Sequence, residues 1–234
     1  MSAALLDTLR RHLAAVQQGI ATACVQAGRP TDSVQLVAVS KYAELEAVRG
    51  LYELGHRDFG ESRPQQLVER ARQLPADIRW HLIGHLQRNK VALVLPYVTL
   101  IHSVDSQRLL EQIDRDAAKL NLSPRVLLEV NVSGEASKDG FAPDELRTAW
   151  PQLLTYPHVQ IMGLMTMAPL LDDPQAARPF FARLRELRDE LATADHPLPT
   201  LSMGMSGDYA AAIAEGATVV RIGSAVFGDE AATA

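Results

Sequence analysis

The sequence predicts an α/β protein built as a single (β/α)8 TIM-type barrel with an extra N-terminal helix. Three observations carry this. About eight short apolar runs each meet a polar or glycine-containing turn and then a helical pattern, the alternation that builds parallel sheets. The chain has 234 residues, near the ~250 typical of such barrels. An open doubly wound sheet would usually have fewer strands and carry a G-x-G-x-x-G turn, which the chain lacks. No low-complexity linker intervenes, so residues 1–234 read as one domain, with residues 1–28 forming a helix packed on the barrel.

Taken in order, Leu5, Leu9, Leu13, Val16, Ile20 and Ala23 recur at helical spacing, and Gly28, Arg29 and Pro30 end that helix. Residues 34–39 are a β-branched apolar run suited to a strand buried on both faces, followed by Ser40-Lys41. A helix bearing Leu45, Val48, Leu51, Tyr52 and Leu54 closes at Gly55. Asp58 to Ser62 is the second strand, and Pro64 opens the next helix, where proline is favoured. Trp80 to Ile83 leads through Gly84-His85 into a helix containing Gln87 to Leu95. Tyr97 to His102 runs into Ser103-Val104-Asp105, with Ser103 or Asp105 as cap for a helix over Gln107 to Leu120. Pro124 to Val132 is a clear strand, followed by a mobile loop from Gly134 to Ala142. His158 to Met162 meets Gly163, and a long helix spans Pro174 to Leu191. Thr200 to Met203 and Thr218 to Ile222 are the last strands, with a short helix after Ser224.

Net charge is −5 and the pI is about 5.8, which argues against non-specific binding to nucleic acid or anionic membrane. The single cysteine, Cys24, excludes an internal disulfide framework and a multi-cysteine metal site. It falls in an apolar helical pattern and reads as a small buried hydrophobe. The start carries Asp7 without a long apolar segment, and no stretch nears the roughly 18 apolar residues of a spanning helix. A cytoplasmic, membrane-free protein is the expectation.

Chemistry concentrates at the carboxyl ends of the strands, the functional face of a barrel. Lys41 ends the first run, where partial burial would favour a neutral amine able to attack a carbonyl and form a Schiff base. Ser202 to Asp208 and Arg221 to Ser224 crowd hydroxyls and glycines before two helical starts, an arrangement suited to an anion. A phosphate after the seventh and eighth strands is recurrent in barrels. Strands one and eight are neighbours when a barrel closes, so amine and anion cup can share one pocket. An aldehyde phosphate suits that pair, and pyridoxal 5′-phosphate (PLP) fits. Arg221 would then face the pyridine nitrogen as a donor-only group, keeping it unprotonated.

VAVSK at 37–41, HLIGHLQRNK at 81–90, VNVSGEASKDG at 130–140, GLMTM at 163–167, SMGMSGD at 202–208 and RIGSAVFG at 221–228 carry a resemblance. Together they resemble the pyridoxal phosphate homeostasis protein family, PLP-binding barrels similar to the N-terminal domain of alanine racemase. The resemblance implies that Lys41 bears PLP as a Schiff base and that Arg221 meets the ring nitrogen. It also implies phosphate contacts from Ser206, Gly223 and Ser224, with Gly207 and Ile222 as further cofactor-binding residues. Ser62 and His85 are further expected cofactor contacts. Ser62 departs from the family, which usually reads F-G-E-N where this chain has Phe59-Gly60-Glu61-Ser62.

His81 and His85 are four apart, but no carboxylate or cysteine motif completes a metal site, so no metal is expected. Racemisation needs an acid and a base on opposite faces of the substrate. In alanine racemase the partner's second domain supplies one of them, and a chain ending at Ala234 leaves no room for such a domain. Tyr42 and Tyr209 lie near the motifs, yet neither is placed as the opposite base. The expectation is a monomeric PLP holder in vitamin B6 homeostasis with little turnover, serving PLP-accepting apo-enzymes. The alternatives are a PLP-dependent amino-acid racemase and an aldolase-like barrel whose lysine attacks substrate directly.

Overall fold

The computed structural model describes residues 2–135 and 138–228. Eight parallel strands close into a barrel in chain order: β1 (Gln35–Val39), β2 (Asp58–Glu61), β3 (Arg79–Leu82), β4 (Val98–Val104), β5 (Arg125–Glu129), β6 (Gln160–Met165), β7 (Thr200–Ser202) and β8 (Val219–Ile222). Closure is made by β8 against β1, with Val37 beside Arg221 and Ala38 beside Ile222. That register sets the Lys41 and Arg221 segments side by side.

The first helix, α1 (Ala3–Gln26), buries Leu9, Leu13, Val16, Ile20, Ala23 and Cys24. It lies against α2 (Leu45–Glu53), α8 (Tyr209–Ala214) and α9 (Ser224–Phe227). Those are the helices that follow β1, β7 and β8, so α1 braces the sector carrying the three chemical motifs. Contact is close: a Cβ at Gly19 would come 2.2 Å from the Tyr209 hydroxyl.

Between them come α3 (Pro64–Gln73), the short α4 (Val91–Val94), α5 (Gln107–Leu120), α6 (Pro143–Leu153) and α7 (Arg178–Leu191). The alternation requires a helix between β5 and β6, and α6 supplies it even with Pro151 inside. Three expectations are corrected here. The helix expected over Gln87 to Leu95 is a 3₁₀ turn at Arg88–Lys90 followed only by α4, and Pro96, which has no N–H to donate, cannot extend it. Strand β4 continues past His102 to Val104, and the cap of α5 is Ser106, whose hydroxyl accepts from the Leu109 amide. Strand β6 runs through Gly163, where a Cβ would come 1.9 Å from the Thr200 carbonyl oxygen. That glycine permits a close strand approach and makes no turn.

The outer core between strands and helices is mostly aliphatic, with Phe59, Phe141 and Phe181 as its largest fully buried side chains. Inside the barrel, Leu100, Leu127 and Met165 form a small apolar cluster, while Asp58, His81, His102, Ser202 and Arg221 are buried polar groups. No helix among the described residues is long and apolar enough to cross a membrane.

Candidate functional site

A cavity of about 410 Å³ opens at the carboxyl ends of the strands. Lys41 and Tyr42 line it from beyond β1, Ser62 from β2, Gly84 from β3, Met205 and Ser206 from β7, and Arg221, Gly223 and Ser224 from β8. The floor is tight at Gly84, where a Cβ would fall 2.4 Å from the Ser62 carbonyl oxygen. Among the described residues, Lys41 and Arg221 are the charged ones of this lining, and no carboxylate joins them. Such a lining favours an anionic ligand.

The SMGMSGD segment divides its work by position. Ser202 points into the barrel and accepts a hydrogen bond from Arg221 Nη1 at 2.6 Å. Gly204 has φ +92° and lies where a Cβ would meet Ala212 at 2.6 Å, so the chain can turn tightly over α8. The Met205 amide donates to Asp208 Oδ1 at 2.6 Å, which folds the turn and presents Ser206. The Ser224 hydroxyl lies 3.2 Å from that of Ser206. With α8 and α9 so short, what this turn offers an anion is hydroxyls and first-turn N–H groups rather than helix dipoles.

Lys41 is exposed, two residues beyond the end of β1, so the burial expected to favour its neutral form is not what this position provides. Its ammonium lies 4.8 Å from the centre of the Tyr42 ring. The segment is held from below. Arg70 of α3 donates to the carbonyls of Ser40, at 2.8 Å, and Ala43. It also pairs with Glu61 at 2.8 Å, and the Ser40 hydroxyl donates to the same Glu61 oxygen at 2.6 Å. Burial raises the Glu61 pKa, with Arg70 and Ser40 acting against it. Sequence reasoning missed Arg70 and Glu61. Local sequence carried no signal of the pair, because its members lie on different elements and the burial of all four β2 positions is set only when the barrel closes.

Arg221 is buried, and burial lowers its pKa to about 10, so it remains charged at neutral pH. Its Nη2 donates to the Thr166 carbonyl at 3.0 Å. At the end of β5, the Glu129 carboxyl is pushed up to about 7 by burial first and Asp105 second, while Arg221 pulls it down. Its ordinary value is 4.5. Between those values the folded protein binds more protons than the unfolded chain, so stability falls as pH rises through the window and levels off above it. Glu129→Gln is expected to leave stability unchanged near about pH 4 and to raise it by about 3 kcal/mol at about pH 8. Urea unfolding at both pH values checks this, and equal stability of variant and parent at the higher one counts against it.

The structure does not bring every expected residue to the cavity. His85 lines a separate, more open groove, with Nδ1 3.2 Å from Asp105 and 3.5 Å from Asp139. The carboxylates that local sequence lacked arrive from other loops, so the cluster around His85 is made with Asp105 and Asp139 and without His81. Ile222 is buried at the end of β8, and Gly207 is exposed next to Ser206. Tyr209 turns its hydroxyl toward Gly19. In the loop expected to be mobile, Asn131 Nδ2 ties down the carbonyls of Glu135, at 2.8 Å, and Lys138, at 3.2 Å, while Phe141 is buried beside Val130. Ala136 and Ser137 of the GEASK motif lie outside the described residues.

A closed parallel barrel with a lysine beyond strand one and a hydroxyl cup beyond strands seven and eight defines an alanine racemase-like barrel. The family model described as "Alanine racemase, N-terminal domain" matches residues 3–231. A pyridoxal phosphate homeostasis protein of Aquifex aeolicus is 43% identical over 220 residues, covering 93% of this chain and 96% of its own. One from Pseudomonas aeruginosa is 42% identical over 229 residues, covering 95% and 96%. The chain belongs to the alanine racemase N-terminal domain family and, within it, to the pyridoxal phosphate homeostasis proteins. Among solved structures, PipY of Synechococcus elongatus with PLP bound superposes with a TM-score of 0.82 at 39% identity, covering 94% of this chain and all (100%) of that one. An alanine racemase of Clostridium difficile shares the fold at a TM-score of 0.70 and 16% identity, and this chain covers 55% of it.

Proposed function

We propose that this chain binds PLP covalently through Lys41 and serves PLP homeostasis as a holder of the cofactor. The observation that carries the reading is the meeting of an amine, a buried guanidinium and two facing hydroxyls on one cavity with no carboxylate among its described lining residues. When bound, PLP supplies an aldehyde open to amine attack and a pyridine ring that takes up electron density. Lys41 is the nucleophile. Ser206 and Ser224 hydroxyls, with the backbone of Gly207, Ile222 and Gly223, take the phosphate. Arg221 offers a cation to the ring nitrogen, and Ser62 lines the wall where it can donate one hydroxyl. His85 has no part, because its groove is another one.

The relatives are named homeostasis proteins rather than enzymes, and we infer a holder with little turnover. Racemisation needs a second acid–base group across the substrate from the lysine. Tyr209 faces α1, and Tyr42 stands beside Lys41 itself. A single-domain monomer in the cytoplasm, handing PLP to apo-enzymes, completes the reading.

Borohydride treatment of the PLP-loaded protein, followed by intact mass and peptide mapping, is expected to place one stable adduct on Lys41. An adduct elsewhere, or none, overturns the site. Deuterium exchange at the α-carbon of common amino acids, run on the same protein, is expected to be negligible. Rapid exchange would favour the racemase.

A further inference from the structure

Five buried polar side chains cross the barrel interior in one line. Arg221 Nη1 donates to Ser202 Oγ at 2.6 Å. That oxygen lies 2.8 Å from His102 Nδ1, His102 Nε2 lies 3.0 Å from His81 Nδ1, and His81 Nε2 lies 3.2 Å from Asp58 Oδ1. None is more than 6% exposed. The line passes from β8 to β7, β4, β3 and β2. Since β7 and β4 are not neighbours, it runs through the barrel rather than around its wall. At the opposite mouth, Arg79 grips Asp58, with Nε donating to Oδ1 at 2.7 Å.

The chemistry of the two ends orders the protons between them. A guanidinium only donates and a carboxylate only accepts, while each neutral imidazole does one of each. His81 must give its Nε2 proton to Asp58, which leaves its Nδ1 to accept from His102 Nε2. His102 Nδ1 then accepts from the Ser202 hydroxyl, whose oxygen accepts from Arg221. The reverse order would set a lone pair of His81 against the Asp58 carboxylate. Burial first, then His81 and Arg221, lower the His102 pKa well below its ordinary value, in keeping with a neutral ring. Burial pushes the Asp58 carboxyl up, but hydrogen bonds from Arg79 and His81 outweigh it and hold the group below the usual carboxylate range.

We propose that Ser202, His102, His81 and Asp58 are positioning residues that act as one directed hydrogen-bond relay, anchored at the far mouth of the barrel and fixing Arg221 at the cavity. The role of Arg221 toward a PLP ring rests on the function proposed above, and the relay deepens it. With Nη2 on the Thr166 carbonyl and Nη1 on Ser202, the plane of the guanidinium is set from two strands. The relay thereby selects a ring that offers an acceptor at one position. Hydrogen bonds that point the same way in a low-dielectric interior strengthen one another.

Two measurements test it. Long-range proton–nitrogen NMR of ¹⁵N-histidine-labelled, PLP-free protein is expected to show His81 and His102 as neutral Nε2–H tautomers at neutral pH. An Nδ1–H tautomer or an imidazolium at either position overturns the relay, and this readout needs no cofactor. PLP titration followed by absorbance is expected to show His102→Leu raising the dissociation constant about tenfold and shifting the bound spectrum. His102→Gln, which keeps a donor and an acceptor, should recover most of both. A leucine variant that matches the parent overturns the proposal. If it does not fold, Ser202→Ala removes only one hydroxyl and carries the same expectation. A parent protein that takes up no PLP sinks the functional reading and leaves the tautomers to decide the relay.

Discussion

Lys41→Ala is expected to abolish the borohydride-reducible bond to PLP and to raise the dissociation constant on the order of 100-fold, or about 2.7 kcal/mol. The fold should be untouched. Lys41 is exposed, and the contact of its side chain is with the Tyr42 ring. The Lys41 carbonyl, which accepts from Gln66 Nε2 at 3.3 Å, is unaffected by truncation. Surface substitutions of this kind change stability by about 0.5 kcal/mol or less. The phosphate cup and Arg221 remain, so residual binding should be reversible and removable by dialysis. Absorbance titration and mass after reduction distinguish the outcomes. A full-occupancy adduct on another lysine would move the nucleophile elsewhere.

How much of this was legible in the sequence depended on the range of the interaction. The strand before Lys41 and the helix over Gln107 to Leu120 follow from local periodicity, and the helix matches α5 to the residue. The convergence of Lys41, Ser206 and Ser224 needed one further idea, that the first and last strands of a closing barrel are neighbours. The resemblance of six motifs then pointed to the same cofactor that the amine and the anion cup suggest. Range defeated the rest. His81 reads only as half of a candidate metal pair with His85, because its partners, Asp58 and His102, lie on other strands, and Ser202 is 100 residues from His102. Gly163 read as a turn because a glycine required by strand approach looks the same as one required by φ. Lys41 read as partly buried because the strand was taken to reach it, whereas β1 stops at Val39. Nothing local to Arg70 showed that a helical arginine would reach under the lysine segment.

That arginine should produce the largest stability effect of any single substitution near the site. Arg70→Ala is expected to destabilise the PLP-free protein by about 3–5 kcal/mol in urea unfolding, the range for breaking a buried pair. Its loss leaves the Ala43 carbonyl without its donor and the Ser40 carbonyl with the Ala43 amide alone. It also leaves Glu61, wholly buried, with the Ser40 hydroxyl as its remaining partner. Protonation of Glu61 limits the damage, because burial already raises its pKa and Arg70 is the strongest influence lowering it. The variant should therefore lose less at low pH than at high pH. Arg70→Lys should recover only part of the loss, since an ammonium cannot span both carbonyls and the carboxylate with a planar fork. The double variant Glu61→Leu with Arg70→Leu is the sharper test. Apolar replacement of a whole buried pair is often near neutral, so the double variant should be more stable than Arg70→Ala alone while holding PLP less well. Lys41 would sit on a segment no longer tethered to α3. A single variant within about 1 kcal/mol of the parent would show that the pair does not hold the segment.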